Sequence, residues 1–181
     1  MIGGIVSHID QQSYSKDAIL STNYADDYAV RGHGFLLQKN FTMLSATTLY
    51  LLFDYTTYLG TNKFIFIKPA IFTTSSGPVK VCVYRGTNYT GGTALPAYNL
   101  NTIIGGESAT TITQDPTGLV KGTVVQEWLV GYGSTNQSSG GGSIEVKANI
   151  IRPNTGKTLM EIVNESGTSV IFNIVQEFYE L

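Results

Sequence analysis

The chain is poor in the residues that most enzymes and nucleic-acid binders rely on. Its 181 residues include one cysteine, two histidines, one tryptophan and three arginines, and only 13% are charged. A lone Cys82 excludes an intramolecular disulfide framework and any cysteine-based zinc cluster. A formal charge of −2 lacks the basic footprint of a nucleic-acid partner. No run approaches the ~18 consecutive apolar residues of a membrane-spanning helix. The start, Met1-Ile-Gly-Gly-Ile-Val-Ser-His8, lacks the basic opening and long apolar core of a secretory signal.

Globular proteins carry about 25% charged residues, roughly twice the share found here. The polar surface is therefore built mainly from Ser, Thr, Asn, Gln and Gly. Desolvating a hydroxyl or an amide costs less than desolvating an ion. Such a surface suits a protein that meets other protein over much of its area.

Two regions are legible. Residues 1–33 are polar and irregular, with an arm-like pattern, one short helix capped by Ser15 over Lys16–Leu20, and isolated Tyr14, Tyr24 and Tyr28 as docking anchors. Residues 34–181 read as an all-β domain, an antiparallel, jelly-roll-like β-sandwich. The pattern predicts strands at Phe35–Gln38, Phe41–Ser45, Leu49–Tyr55, Phe64–Phe72, Val79–Tyr84, Ala97–Leu100, Ala109–Thr113, Thr123–Val130, Ile144–Ile151, Thr158–Val163 and Ser169–Tyr179. Turn signals such as Ser75-Ser-Gly-Pro78, Arg85-Gly-Thr-Asn88, Gly91-Gly92 and Asp115-Pro-Thr-Gly118 separate them.

Two kinds of strand are predicted. Val79, Val81 and Val83 alternate with Lys80 and Cys82, and Ile144, Val146, Ala148 and Ile150 with Glu145, Lys147 and Asn149; this is one wet face. Other strands are apolar on both sides. Val170, Phe172, Ile174 and Phe178 oppose Ile171, Val175 and Tyr179. Val124, Trp128 and Val130 oppose Val125 and Leu129. Leu49, Leu51 and Phe53 oppose Tyr50 and Leu52. A sandwich buries only its inner face, so the second face calls for a cover. A subunit interface formed by Tyr50, Leu52, Val125, Leu129, Ile171, Val175 and Tyr179 is the expectation, within a homotrimer.

No catalytic constellation emerges. Cys82 sits mid-strand as a packed thiol, and His33, between two glycines, reads as a turn residue. His8 and Asp10 have ligand-like spacing but no third or fourth partner nearby. The glycine clusters lack the Lys-Ser/Thr of a phosphate loop. No enzyme activity, metal or cofactor is expected.

Several segments carry a resemblance. They are Leu51-Leu-Phe-Asp-Tyr55, Val79-Lys-Val-Cys-Val-Tyr-Arg-Gly-Thr-Asn-Tyr-Thr-Gly-Gly-Thr93 and Pro96-Ala-Tyr-Asn-Leu-Asn101. Trp128-Leu-Val-Gly131 ahead of a Gly/Ser loop belongs with them, as does Ile162-Val-Asn-Glu-Ser-Gly-Thr168 before a final strand ending in Phe-Tyr-Glu. Over about residues 45–181 the chain resembles virion proteins of tailed bacteriophages with a β-sandwich body. The resemblance implies a component of the particle, of the kind that decorates or cements the outer surface of the head as a trimer. Its implied partners are copies of itself and the major capsid protein, with no nucleic acid and no membrane. The capsid contact then falls to the arm, through Tyr14, Tyr24, Tyr28 and Arg31. A competing expectation is a tail or fibre module binding host glycan around Tyr89 and Tyr98, with Asn88 and Asn99 as hydrogen-bonding partners; a tail or connector protein is a third.

Overall fold

Alternation of side chains across a strand decides which residues meet between two sheets. The computed structural model describes residues 29–57, 64–68, 70–131, 143–145, 150–153 and 156–181. Within them the chain runs β1 (Gly34–Met43), β2 (Thr48–Asp54), β3 (Phe64–Ile67), β4 (Ile71–Thr74), β5 (Val79–Arg85), β6 (Asn88–Thr90), β7 (Thr93–Leu95) and β8 (Tyr98–Asn99). It continues through β9 (Thr111–Gln114), β10 (Thr117–Val120), β11 (Thr123–Val130), β12 (Ser143–Glu145), β13 (Ile150–Pro153), β14 (Lys157–Asn164) and β15 (Val170–Glu180).

Among the described residues every pairing is antiparallel, and the architecture is the expected β-sandwich. Sheet A has the order β12-β4-β15-β1-β8, with β3 joining β13 to β15. Sheet B has the order β11-β5-β14-β2-β9-β7. A two-stranded ribbon, β6 with β10, shares no strand pairing with either sheet.

The core lies between the sheets. Phe35, Leu37, Val170, Phe172, Ile174 and Phe178 of sheet A share one buried cluster with Leu51, Phe53, Val79, Val81, Ile112 and Ile162 of sheet B. Across the gap, the rings of Phe72 on β4 and Trp128 on β11 lie 6.1 Å apart. Each fully buried Leu, Ile or Phe contributes about 1.5–3 kcal/mol, so this layer dominates stability.

Several boundaries differ from the sequence pattern, each for a physical reason. The first two predicted strands are one, because β1 pairs with β15 without a break from Gly34↔Tyr179 to Met43↔Val170. The predicted strand Phe64–Phe72 divides into β3 and β4, and Pro69 in the sequence between them has no N–H for a ladder. The two halves pair with different stretches of β15. Ile144–Ile151 likewise supplies β12 and β13, which pair with β4 and β3 respectively; 146–149 lie outside the described residues. Two predicted turns, Arg85–Asn88 and Asp115–Gly118, run into the ribbon strands, since β6 begins at Asn88 and β10 at Thr117.

A bulge changes β11. Val124 pairs with Tyr84 while Gln126 pairs with Val83, leaving Val125 as the extra residue. Val124 therefore shares the outer face with Glu127 and Leu129, not the inner face with Trp128 and Val130 as strict alternation predicts.

Candidate functional site

The outer face of sheet B combines β5, expected to have one wet face, with β2, expected to be apolar on both. Leu52 on β2 and Leu159 on β14 are register partners, both fully buried, yet both lie outside the central cluster. Cys82 on β5 is buried on the same side. Two polar clasps bracket the leucine pair and hold the ribbon region across it.

On one side is Asp54. Its Oδ1 accepts from the Thr56 N–H at 2.9 Å and the Thr56 hydroxyl at 2.5 Å, and its Oδ2 accepts from the Tyr89 hydroxyl of β6 at 3.1 Å. Lys157 stands 3.7 Å from the same Oδ2 and 5.1 Å from the Tyr89 ring.

On the other side is Glu161, the register partner of Tyr50. Its carboxylate accepts from Tyr50 at 3.1 Å, from Tyr84 at 2.5 Å and from Lys121, which follows β10. The Lys121 ammonium also lies 5.3 Å from the Tyr50 ring and 5.6 Å from the Tyr84 ring, a cation held over two aromatic faces. Burial alone pushes the Glu161 carboxyl up, but the hydrogen bonds from Lys121, Tyr84 and Tyr50 outweigh it and hold it below the usual range. The same carboxylate, with burial adding to it, pushes the Tyr84 phenol up to about 12.

Chemically this is a saturated site. Both Glu161 oxygens already accept hydrogen bonds, which leaves the carboxylate little capacity as a base. Cys82, whose Sγ lies 3.5 Å from Glu127, has its thiol pushed up by burial and then by that hydrogen bond, the opposite of activation. Glu127 is in turn bridged to Lys80 at 3.1 Å. A third buried carboxylate, Glu180, is occupied by the N–H groups of Ala109 and Thr110 and the hydroxyl of Ser108.

The outer face of sheet A is different. Three central strands present Gln38, Asn40 and Thr42 of β1, Ile171, Asn173 and Val175 of β15, and Ile71 and Thr73 of β4. None of these is charged. They form rows across the sheet: Gln38–Val175–Ile71, then Asn40–Asn173–Thr73, with Thr42 beside Ile171. The Asn173 amide donates to Asn40 Oδ1 at 2.6 Å, fixing the middle row. Ile171 is 51% exposed and Ile71 42%. Charge enters at the margins, where Glu145 is the register partner of Ile71 and where Lys68 bridges Glu177 at 2.8 Å.

The residues predicted for a subunit contact do not form one surface. Leu52 and Tyr179 are buried by the chain itself, which corrects the expectation that a second subunit covers them. Tyr179 packs 6.0 Å from the Phe66 ring and donates to Glu177, and Gly34 lets its ring approach, since a Cβ there would sit 2.9 Å from it. Tyr50 is half-buried and engaged with Glu161. Val125 and Leu129 remain exposed on β11 of sheet B, while Ile171 and half-buried Val175 lie on sheet A. Of the predicted arm anchors, Tyr14, Tyr24 and Tyr28 lie outside the described residues, and Arg31 is exposed.

The glycan residues also separate. Tyr89 belongs to the ribbon with its hydroxyl on Asp54, and Asn99 donates to the carbonyl of Gly32 at 2.8 Å. Tyr98, on β8 of sheet A, is 58% exposed. Sequence pattern missed Lys121 and Glu161 as partners, because 40 residues separate them and neither lies in a motif. No family model and no curated protein matches the chain.

Proposed function

We propose that this chain is a non-enzymatic structural protein of a tailed-phage particle, a decoration or cement protein that stabilises the head shell from outside as a homotrimer. The observation that carries the reading is the outer face of sheet A. It is a three-stranded expanse of amide, hydroxyl and aliphatic side chains without a central charge, and protein can desolvate it at low cost. The resemblance of residues 45–181 to tailed-phage virion proteins supports the same assignment.

Two apolar sets, exposed Ile171 with half-buried Val175 and exposed Val125 with Leu129, lie on different sheets. Two unlike patches suit a heterologous contact, in which one patch of a subunit meets the other patch of the next and the ring closes. Arg31 and the tyrosines before it supply the capsid contact; some 28 residues of extended chain reach roughly 100 Å. Many weak contacts multiplied by symmetry then resist internal pressure through avidity.

The test is direct. Particles lacking this protein are compared with intact ones for DNA retention after heating or osmotic shock. Earlier DNA release, reversed by adding back the purified protein, is the expected result. Equal retention, or a trimer-sized protein that fails to bind particles, overturns the proposal.

A further inference from the structure

Turn residues are ordinarily polar, yet the turn after β8 displays two isoleucines. Ile103 is 93% exposed and Ile104 60%. The turn is well tied. Asn101 Oδ1 accepts from the N–H groups of Ile103 at 3.0 Å and Ile104 at 3.1 Å, and the Gly105 N–H donates to the Asn101 carbonyl at 3.1 Å. These side chains are therefore held outward by a defined backbone.

They do not stand alone. The Asn101 amide donates to the Val30 carbonyl, which brings Val30, 66% exposed, to the same turn. A Cβ on Gly32 would lie 3.2 Å from Ile104, and one on Gly34 would lie 3.0 Å from Leu100 and 3.2 Å from the Ala29 backbone. Val30, Leu100, Ile103 and Ile104 thus gather where the chain enters the described structure. An apolar cluster with this exposure calls for a cover.

From these positions we infer that the cover is the chain's own N-terminal segment, through Ala18-Ile19-Leu20. Residues 1–28 join the described chain at Ala29, beside Val30, so the occupant is tethered at the patch. Eight residues separate Leu20 from Ala29. Extended, they reach roughly 25–30 Å, enough to double back over the turn. A short tether gives an effective concentration in the millimolar range, above that of a second copy at micromolar protein. Ile19 and Leu20 supply adjacent aliphatic side chains of the kind the patch lacks a partner for. The inference concerns the free protein and stands independently of the proposed capsid role.

Two measurements on the full chain test it. The first pairs Leu20→Cys with Ile103→Cys in a Cys82→Ala background under mild oxidation. A disulfide-linked monomer is expected; disulfide-linked dimers would assign the patch to a second copy, and no cross-link would leave it to another partner, either result overturning the inference. The second keeps Cys82 and compares amide hydrogen exchange in the natural chain and in the Ile19→Asp/Leu20→Asp variant. Exchange at Ile103, Ile104 and Gly105 is expected to quicken at least about tenfold in the variant, while the core strands keep their protection. Unchanged exchange at the turn overturns the assignment even if the cysteine variant fails to fold.

Discussion

Sheet B turns outward a face that carries Leu52, Leu159 and Cys82, all buried, whereas sheet A turns outward Ile71 and Ile171, both substantially exposed. Over β2, β14 and β5 the first face is closed by the chain itself, with a ribbon region anchored at Asp54 and Glu161, while Val124 and Leu129 of β11 stay exposed at its edge. The second is left open and, over its centre, uncharged, with the Lys68–Glu177 bridge at its margin. The difference teaches where a charge-poor protein places its charges. Asp54, Lys157, Lys121, Glu161, Lys80 and Glu127 all belong to the closed face or its margin, where opposite charges and phenols hold the cover down. Buried or half-buried charges need such partners to remain there. Between its margins the open face has no charge to neutralise, so its desolvation would cost little.

The largest expected effect tests whether the closed face is a second core. Leu52→Ala removes a fully buried side chain, so it should destabilise by about 2–5 kcal/mol in urea unfolding. Ile171→Ala, on the open face, should stay within about 0.5 kcal/mol. Equal effects would erase the distinction between the two faces. Gly122→Ala comes next. A Cβ there would fall 1.7 Å from the Arg85 carbonyl oxygen, so the connection from the ribbon into β11 must shift, at a cost of about 1–3 kcal/mol. Gly131→Ala, with nothing within 4 Å, is the matched control. A lower thermal midpoint is expected for the first variant only.

The clasp itself should be worth less. Glu161→Gln keeps the shape but removes the charge that Lys121 and two phenols address. A loss of about 1–2 kcal/mol is expected, tempered because Lys121 is 40% exposed. The folded state depresses the Glu161 pKa, so its contribution is present above the ordinary carboxylate value and fades as pH falls through the lower folded value. The gap between the natural chain and Glu161→Gln should therefore narrow in strong acid. At the other extreme, Tyr84 titrates at about 12, so its share is complete below about 10 and is lost as pH rises toward 12. Tyrosine-selective NMR should find the Tyr84 midpoint lowered in Glu161→Gln; an unmoved midpoint would dissolve the clasp.

Much of the inner architecture was legible because it obeys period two. Val79, Val81 and Val83, or Phe172 and Ile174, announce their face without any knowledge of partners. The outer faces were not legible, and the reason is the same for each miss. Strand patterning counts a second apolar face but cannot say what covers it. Leu52 and Ile171 look alike in sequence, and the segments tied over the first face at Asp54 and Glu161 include the three-residue strand β6 and follow the four-residue strand β10, both too short to display a period. Strict alternation puts Val124 on the inner face, whereas a one-residue bulge inverts the pattern and leaves no clear mark in composition. Alternation places Tyr179 on an outer face, and only the approach of Gly34 and Phe66 to its ring buries it.

The smallest effect on stability is expected where the largest effect on association lies. Ile171→Lys places a charge beside Thr42 and near the neutral Asn40–Asn173–Thr73 row. In the isolated subunit the lysine remains solvated, so unfolding should shift by no more than about 0.5 kcal/mol. In an assembly that covers this face, the same ammonium must be desolvated without a partner, a cost of several kcal/mol and enough to dissociate a micromolar oligomer. Sedimentation velocity at micromolar concentration should therefore find the natural chain as a trimer and Ile171→Lys as a folded monomer. A mass unchanged by the substitution would mean that the open face of sheet A takes no part in self-association.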